Sequence, residues 1–200
     1  MSGDKEFEFG LADGRRIVGV IERPQATPRG WAIVAHCFSC GQDGLAAVRL
    51  SRALARSGVG VLRFDFAGAG DRDAQVADAS FAADVQDLIA ASGAMEAAGM
   101  TPNLLVGHSL GGLAVLAAAE HLPQVRAIAT IGAPADAAHV LTHVSEEDLK
   151  RIESEGEAEV TLGGRPYRIG QSFVDDVRTH SPLDAVSRLK RALLVMHAPL

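Results

Sequence analysis

What this sequence has little of narrows its reading first. Only 2 of its 200 residues are cysteine, too few for a disulfide framework and too few for a four-cysteine zinc site. Aromatic residues make up 4 %, with a single Trp and a single Tyr, which argues against the stacking platforms that single-stranded nucleic acid needs. Positive charge is in deficit as well. Nineteen Lys and Arg stand against 25 Asp and Glu, a formal net charge of -6, so nothing here draws in a phosphate backbone or an anionic membrane. No apolar run approaches the roughly 20 residues of a membrane helix. The opening stretch MSGDKEFEFG is charged and carries no apolar core of a secretory signal. These absences lead to the expectation of a cytoplasmic chain with neither nucleic acid nor membrane as partner.

What is present is ordinary for a globular domain: 48 % hydrophobic and 22 % charged residues, enough to build one core. Residues 1–200 are therefore read as one domain. EFEFG and RRIVGVIER flank Asp13-Gly14, a hairpin turn signal. Apolar strand candidates follow at 30–36, 58–66, 102–108, 125–134 and 191–199, and the Ala- and Leu-rich segments 43–57, 80–98 and 109–122 between them have helical spacing. Repeated strand-helix-strand units of this kind predict an α/β fold with a mostly parallel sheet and helices on both faces. Between Asp136 and Pro182 the pattern changes to an acidic helical stretch, SEEDLKRIESEGEAE, and then a hairpin around Gly163-Gly164. Residues 137–181 are read as a cap inserted over the C-terminal edge of the sheet.

One motif carries chemistry. Gly107-His108-Ser109-Leu110-Gly111 lies where an apolar strand meets an Ala-rich helix, the setting of a nucleophile elbow. There the serine occupies a tight, strained turn, and glycines at 107 and 111 keep side chains from colliding across it. The helix that begins at the serine turns its unbonded N–H groups toward a developing oxyanion. A glycine-rich packing turn with an ordinary serine is the alternative. The second oxyanion donor of such a site comes from the loop after the third strand, here HCFSC. The predicted pair of donors is thus the backbone N–H of Phe38 and that of Leu110.

Cys37 and Cys40 share that loop in a C-x-x-C spacing, with a strand before and a helix after, the layout of a thiol redox site. A thiol redox role stays open beside the hydrolytic one. A zinc site built on His36, Cys37 and Cys40 would lack a fourth ligand nearby. FAGAG lacks the glycine spacing of a dinucleotide loop, so no cofactor and no metal is expected.

The segments AHCFSCGQD, RFDFAGAG, GHSLGG, ATIGAPAD, GRPYRIGQSFVDD and LLVMHAPL together resemble α/β-hydrolases, and among them the hydrolase half of bacterial proteins that fuse such a domain to an OsmC-like domain. The resemblance runs from about residue 5 to the last residue. It implies an esterase-like enzyme in which Ser109 is the nucleophile, with Phe38 and Leu110 as oxyanion donors, a small acyl compound as substrate and an OsmC-like domain as partner. In that family the acid follows the strand matching ALLVMHAP and the histidine follows one further strand, and this sequence stops at Leu200 before either. The resemblance therefore implies a missing C-terminal strand and helix, an incomplete triad and impaired turnover. It also leaves the last strand as a bare edge, open to pairing with a second copy of the chain.

Within the sequence, Asp136 just past ATIGAP is the stand-in acid and His180 the stand-in base. His108 and Phe173 are assigned to substrate binding, Phe173 with Tyr167 and Val174 making a partly apolar pocket. His139 and His143 have an i, i+4 spacing but no glutamate after the first, as a zinc protease motif would require. A non-catalytic binding module that keeps the elbow as architecture is the competing class.

Overall fold

The computed structural model describes residues 5–36, 41–66, 80–162, 165–180 and 186–198. The chain opens with β1 (Lys5–Gly10) and β2 (Arg16–Glu22), paired antiparallel. Gly14, at φ 88°, turns the chain between them. From β2 the sheet continues through β3 (Gly30–Ala35), β4 (Val59–Phe64), β5 (Pro102–His108), β6 (Ala127–Ile131) and β9 (Ala192–Met196). The spatial order is β1-β2-β4-β3-β5-β6-β9. Every pair from β4 to β9 is parallel, as strands joined by helical crossovers must be.

Parity along the strands sorts the side chains between two faces. Ala32, Val34, Val61, Val106 and Ala129 form one apolar cluster, covered by Leu50 and Leu54 of α1 (Leu45–Arg56). Their alternate neighbours Ile33, Leu62, Phe64, Leu105 and Ile128 enter the larger core, beneath α2 (Phe81–Ala97) and α3 (Leu110–Ala119). Six residues of α3 among Leu110–Val115 are buried, and its alanines allow it to lie close to the sheet. This sequence makes α3 apolar all round, which marks a helix enclosed on every side.

The segment between β6 and β9 folds as a 3-10 helix (Ala137–His143), α4 (Glu146–Glu155), the hairpin of β7 (Glu157–Leu162) and β8 (Arg165–Gly170), and α5 (Gln171–Thr179). Ser145 caps α4 by accepting from the Asp148 N–H, and left-handed Gly156 ends it. The segment is no detached flap. Ile152, Val160, Ile169, Phe173 and Val177 join the same core as the sheet. Asp176 of α5 accepts from the Ala82 N–H in the first turn of α2 at 2.9 Å, and the Phe81 and His180 rings pack at 5.2 Å.

At the other side of the sheet, β9 pairs only with β6 among the described residues, and all five of its residues are exposed. Among the described residues, no helix is long and apolar enough to cross a membrane.

Candidate active site

The site is built on the C-terminal end of β5. Val106 and His108 point to the α1 face while Leu105 and Gly107 point to the α3 face. The chain then reverses direction at Ser109, whose backbone sits at φ 54°, ψ -125°. Among the described residues it is the single non-glycine with positive φ. A side chain held there costs about 1–3 kcal/mol and persists only where the surroundings fix it. Two hydrogen bonds do so: the Ser109 N–H donates to the Ile131 carbonyl at 2.9 Å, and the Gly112 N–H donates to the Ser109 carbonyl at 2.9 Å.

The glycines explain how the helix gets so close. A Cβ on Gly107 would lie 2.6 Å from the Gly112 Cα, and one on Gly111 would lie 2.8 Å from the Ala35 carbonyl oxygen and closer still to that of His36. Real Cβ atoms essentially never approach backbone so closely. The first turn of α3 is thus wedged between the ends of β3 and β5, with Ser109 half-buried at the corner. Leu110 is the first residue of α3, so its N–H falls outside the helix's own ladder. Phe38, the other expected donor, lies outside the described residues, as do Cys37 and Cys40.

His108, expected at the substrate, lines an apolar pocket of about 210 Å³ on the α1 face with His36, Val34, Leu50 and Ile131. Phe173, also expected there, is 1 % exposed and packs in the main core with Val174, while Tyr167 is half-buried against it. Asp136 caps the 3-10 helix, its Oδ1 accepting from the His139 N–H at 2.9 Å. His180 ends α5 with Nδ1 at 3.1 Å from Asp176 Oδ1. Among the described residues, Ser109 forms no side-chain hydrogen bond with either. The His139 and His143 rings meet at 5.9 Å, and no group of three or more His, Cys, Asp or Glu among the described residues is placed to hold a metal ion.

Beside this corner stands His36, read from the sequence as a strand-end residue that shapes the oxyanion loop; its partners Asp65, Arg63 and Gln42 received no role from the sequence. His36 follows β3 at 3 % exposure, and its Nε2 lies 3.0 Å from Asp65 Oδ1, just past β4. The same oxygen accepts from the Gln42 N–H at 2.5 Å. Arg63, two residues before Asp65 and 3 % exposed, donates from Nε to the Gln42 carbonyl at 3.0 Å, with the buried Glu22 carboxylate 3.9 Å from its Nη1. Burial alone would push the Asp65 carboxyl up. The His36 ring and the Gln42 amide outweigh that and hold it below the usual carboxylate range. The signal was in the sequence: RFDF places two charges on one face of a strand that is otherwise apolar, and a charge in such a place needs partners.

A mostly parallel sheet, of seven strands among the described residues, with a strained serine corner between an inner strand and a buried helix is the arrangement of an α/β-hydrolase. The chain belongs to this family: the alpha/beta hydrolase family model matches residues 27–199. The esterase domain of a Rhodothermus marinus protein is 38 % identical, over 98 % of this chain and 77 % of that one, with a TM-score of 0.75. Est1E from Butyrivibrio proteoclasticus, solved with ferulic acid bound, shares the fold at 20 % identity, covering 94 % of this chain and 77 % of its own, with a TM-score of 0.76. A mouse protein, alpha/beta hydrolase domain-containing protein 10, is 20 % identical over 98 % of this chain and 89 % of its own, with a TM-score of 0.70. Among curated proteins none matches the chain.

Proposed function

We propose that the protein is a serine hydrolase of carboxylic esters or related acyl compounds that works through an acyl-enzyme on Ser109. The observation that carries this reading is the strained backbone at Ser109, held at φ 54° between β5 and α3. Strain at a polar side chain on a strand-to-helix corner is kept where function needs that side chain aimed. The likeness to an esterase domain at 38 % identity supports the ester class.

In this reading Ser109 Oγ attacks the acyl carbon and passes its proton to a base. The carbonyl oxygen becomes an oxyanion, met by the N–H groups of Leu110 and Phe38. Collapse of this intermediate breaks the bond to the leaving alcohol, which takes up the proton. Water then attacks the acyl-serine by the same route, releases the acid and restores the hydroxyl. The reaction needs no cofactor.

His180 and Asp136 are the proposed stand-in base and acid, and each is engaged with its own helix rather than with Ser109. A serine hydroxyl with no base in hydrogen-bond contact is a weak nucleophile, so turnover is expected to be slow. The resemblance adds an OsmC-like domain as proposed partner and the cytoplasm as proposed setting, and the exposed β9 edge is the surface on which a second copy would pair.

The test is intact-mass analysis after exposure to a fluorophosphonate, with Ser109→Ala and His180→Ala as variants. One adduct per chain, lost in Ser109→Ala, is the expected result, and slower labelling of His180→Ala would mark His180 as the base. No adduct on the unmodified chain would overturn the nucleophile assignment and favour a binding module.

A further inference from the structure

Both ends of the connection between β3 and α1 are held by one carboxylate. His36 stands at its start and Gln42 near its finish, and the Nε2 of one and the N–H of the other converge on Asp65 Oδ1, at 3.0 and 2.5 Å. Arg63 grips the Gln42 peptide from the opposite side, through its carbonyl at 3.0 Å. Gln42 is therefore fixed at both its donor and its acceptor by two side chains, spaced i, i+2, on and just past β4. Gly41 fits the arrangement: at φ 85° it passes Asp65 so closely that a Cβ there would lie 3.3 Å from Oδ1. Arg63 is itself anchored, with the buried Glu22 carboxylate of β2 at 3.9 Å and the Asp43 carboxylate at 3.6 Å.

A surface loop needs none of this. Buried Arg and Glu side chains are costly to desolvate unless they are paired, and such a pair is an expensive way to pin a turn that could be pinned by apolar packing. The expense falls where placement matters, since the His36 carbonyl abuts Gly111 in the first turn of α3, next to Ser109 and Leu110.

We propose that Asp65 is a positioning residue for the hydrolytic reaction: by holding His36 and Gln42 together it fixes the end of β3 against the first turn of α3, and so the Leu110 N–H that would meet the oxyanion. The inference rests on the serine-hydrolase reading given above. Asp65 acts through the loop and touches no substrate. An oxyanion donor contributes in the transition state and little in the ground state, so the clamp acts on the chemical step and leaves initial binding alone.

The experiment compares the unmodified chain with Asp65→Ala and Asp65→Asn. Fluorophosphonate labelling is followed over probe concentration, to separate the saturation constant from the limiting rate. Amide hydrogen exchange reports on Gln42 in the same samples. Asp65→Asn keeps an oxygen for both contacts without the charge, and so stands in for Asp65→Ala should that variant fail to fold. Asp65→Ala is expected to lower the limiting rate about a hundredfold, the cost of a displacement near 1 Å, while the saturation constant stays within about twofold and Gln42 exchange quickens at least tenfold. Asp65→Asn should fall between the two.

Equal limiting rates in all three proteins would overturn the positioning role and leave the hydrolase reading standing. A loss confined to the saturation constant would overturn it also. No labelling of the unmodified chain would instead sink the hydrolase reading, and this role with it.

Discussion

Replacing Gly111 by alanine tests whether the wedge between α3 and β3 is as tight as the geometry says. The added Cβ would lie 2.8 Å from the Ala35 carbonyl oxygen and nearer to that of His36. Both are backbone atoms at the end of β3, which pairs with β4 as far as Val34 and with β5 through Ala35, so neither can swing away as a side chain would. Overpacking of this kind costs about 1–3 kcal/mol, and with two rigid partners about 2–3 kcal/mol is the reasoned figure.

Gly93 is the control. It also lies in a helix, α2, but it is exposed and a Cβ there meets nothing within 4 Å. Its replacement by alanine should stabilise by about 0.5–1 kcal/mol through helix propensity alone. Urea denaturation followed by far-ultraviolet circular dichroism reads both. With a slope of about 3 kcal/mol/M for a chain of this size, the midpoint should fall by about 0.7–1 M in Gly111→Ala and rise by about 0.2–0.3 M in Gly93→Ala, with slopes unchanged. A midpoint for Gly111→Ala within about 0.2 M of the unmodified protein would refute the close approach.

Two further outcomes follow from single residues. Burial, then the charges of Asp87 and Asp176, push the Asp84 carboxyl well above the usual carboxylate range. The folded state thus holds this proton more tightly than the unfolded chain, and the penalty, absent in acid, grows as pH rises through the folded value. Asp84→Asn should therefore raise the melting temperature at pH 8 and lose that advantage as the pH is lowered toward 4, measured by calorimetry across the range. Ser109→Gly should relieve the backbone strain at φ 54° and raise stability by about 1 kcal/mol, whereas Ser109→Ala, which keeps a Cβ, should not. Denaturation midpoints of the two variants, set beside their lost labelling, decide this.

Much of the fold was legible in the sequence because alternation and turn chemistry are local. Asp13-Gly14 marks the first hairpin, and the β5 run PNLLVGH sorts correctly onto two faces. The extended run expected over 125–134 is shorter in the structure, Ala127–Ile131, because Gly132 at φ 56° breaks the strand. Helix α5 received no assignment of its own. It has nine residues, and its N-cap Gly170 offers no side chain to announce it, so only the buried trio Phe173, Val174 and Val177 betrays an amphipathic face. The docking of the inserted segment was invisible for another reason. The Asp176 bond to Ala82 spans 94 residues, and no local pattern encodes such a distance. The same limit hid the clamp: Arg63 and Asp65 announce that partners exist, but that the partners are Gln42 and His36 depends on how β3 lies beside β4.

The strained corner and the clamp meet at His36. Its carbonyl abuts Gly111 in the first turn of α3, and its ring abuts Asp65 beyond β4, so a push on one side of the residue is felt on the other. If the two devices form one mechanical unit, their perturbations cannot add. Gly111→Ala displaces the His36 backbone, and the contact that Asp65→Asn would weaken is then already lost in part. The double variant should be less destabilised than the sum of the singles by about 0.5–1 kcal/mol, well above the few tenths expected for independent sites. Asp84→Asn provides the reference, since Asp84 sits on α2 amid Asp87 and Asp176 and should combine additively with Gly111→Ala. Additivity in both cycles would mean that the corner and the clamp are merely neighbours, and that the placement of Leu110 and of the β3–α1 connection is set separately. A coupling energy confined to the Gly111–Asp65 cycle would mean that one residue, His36, ties the serine corner to the clamp.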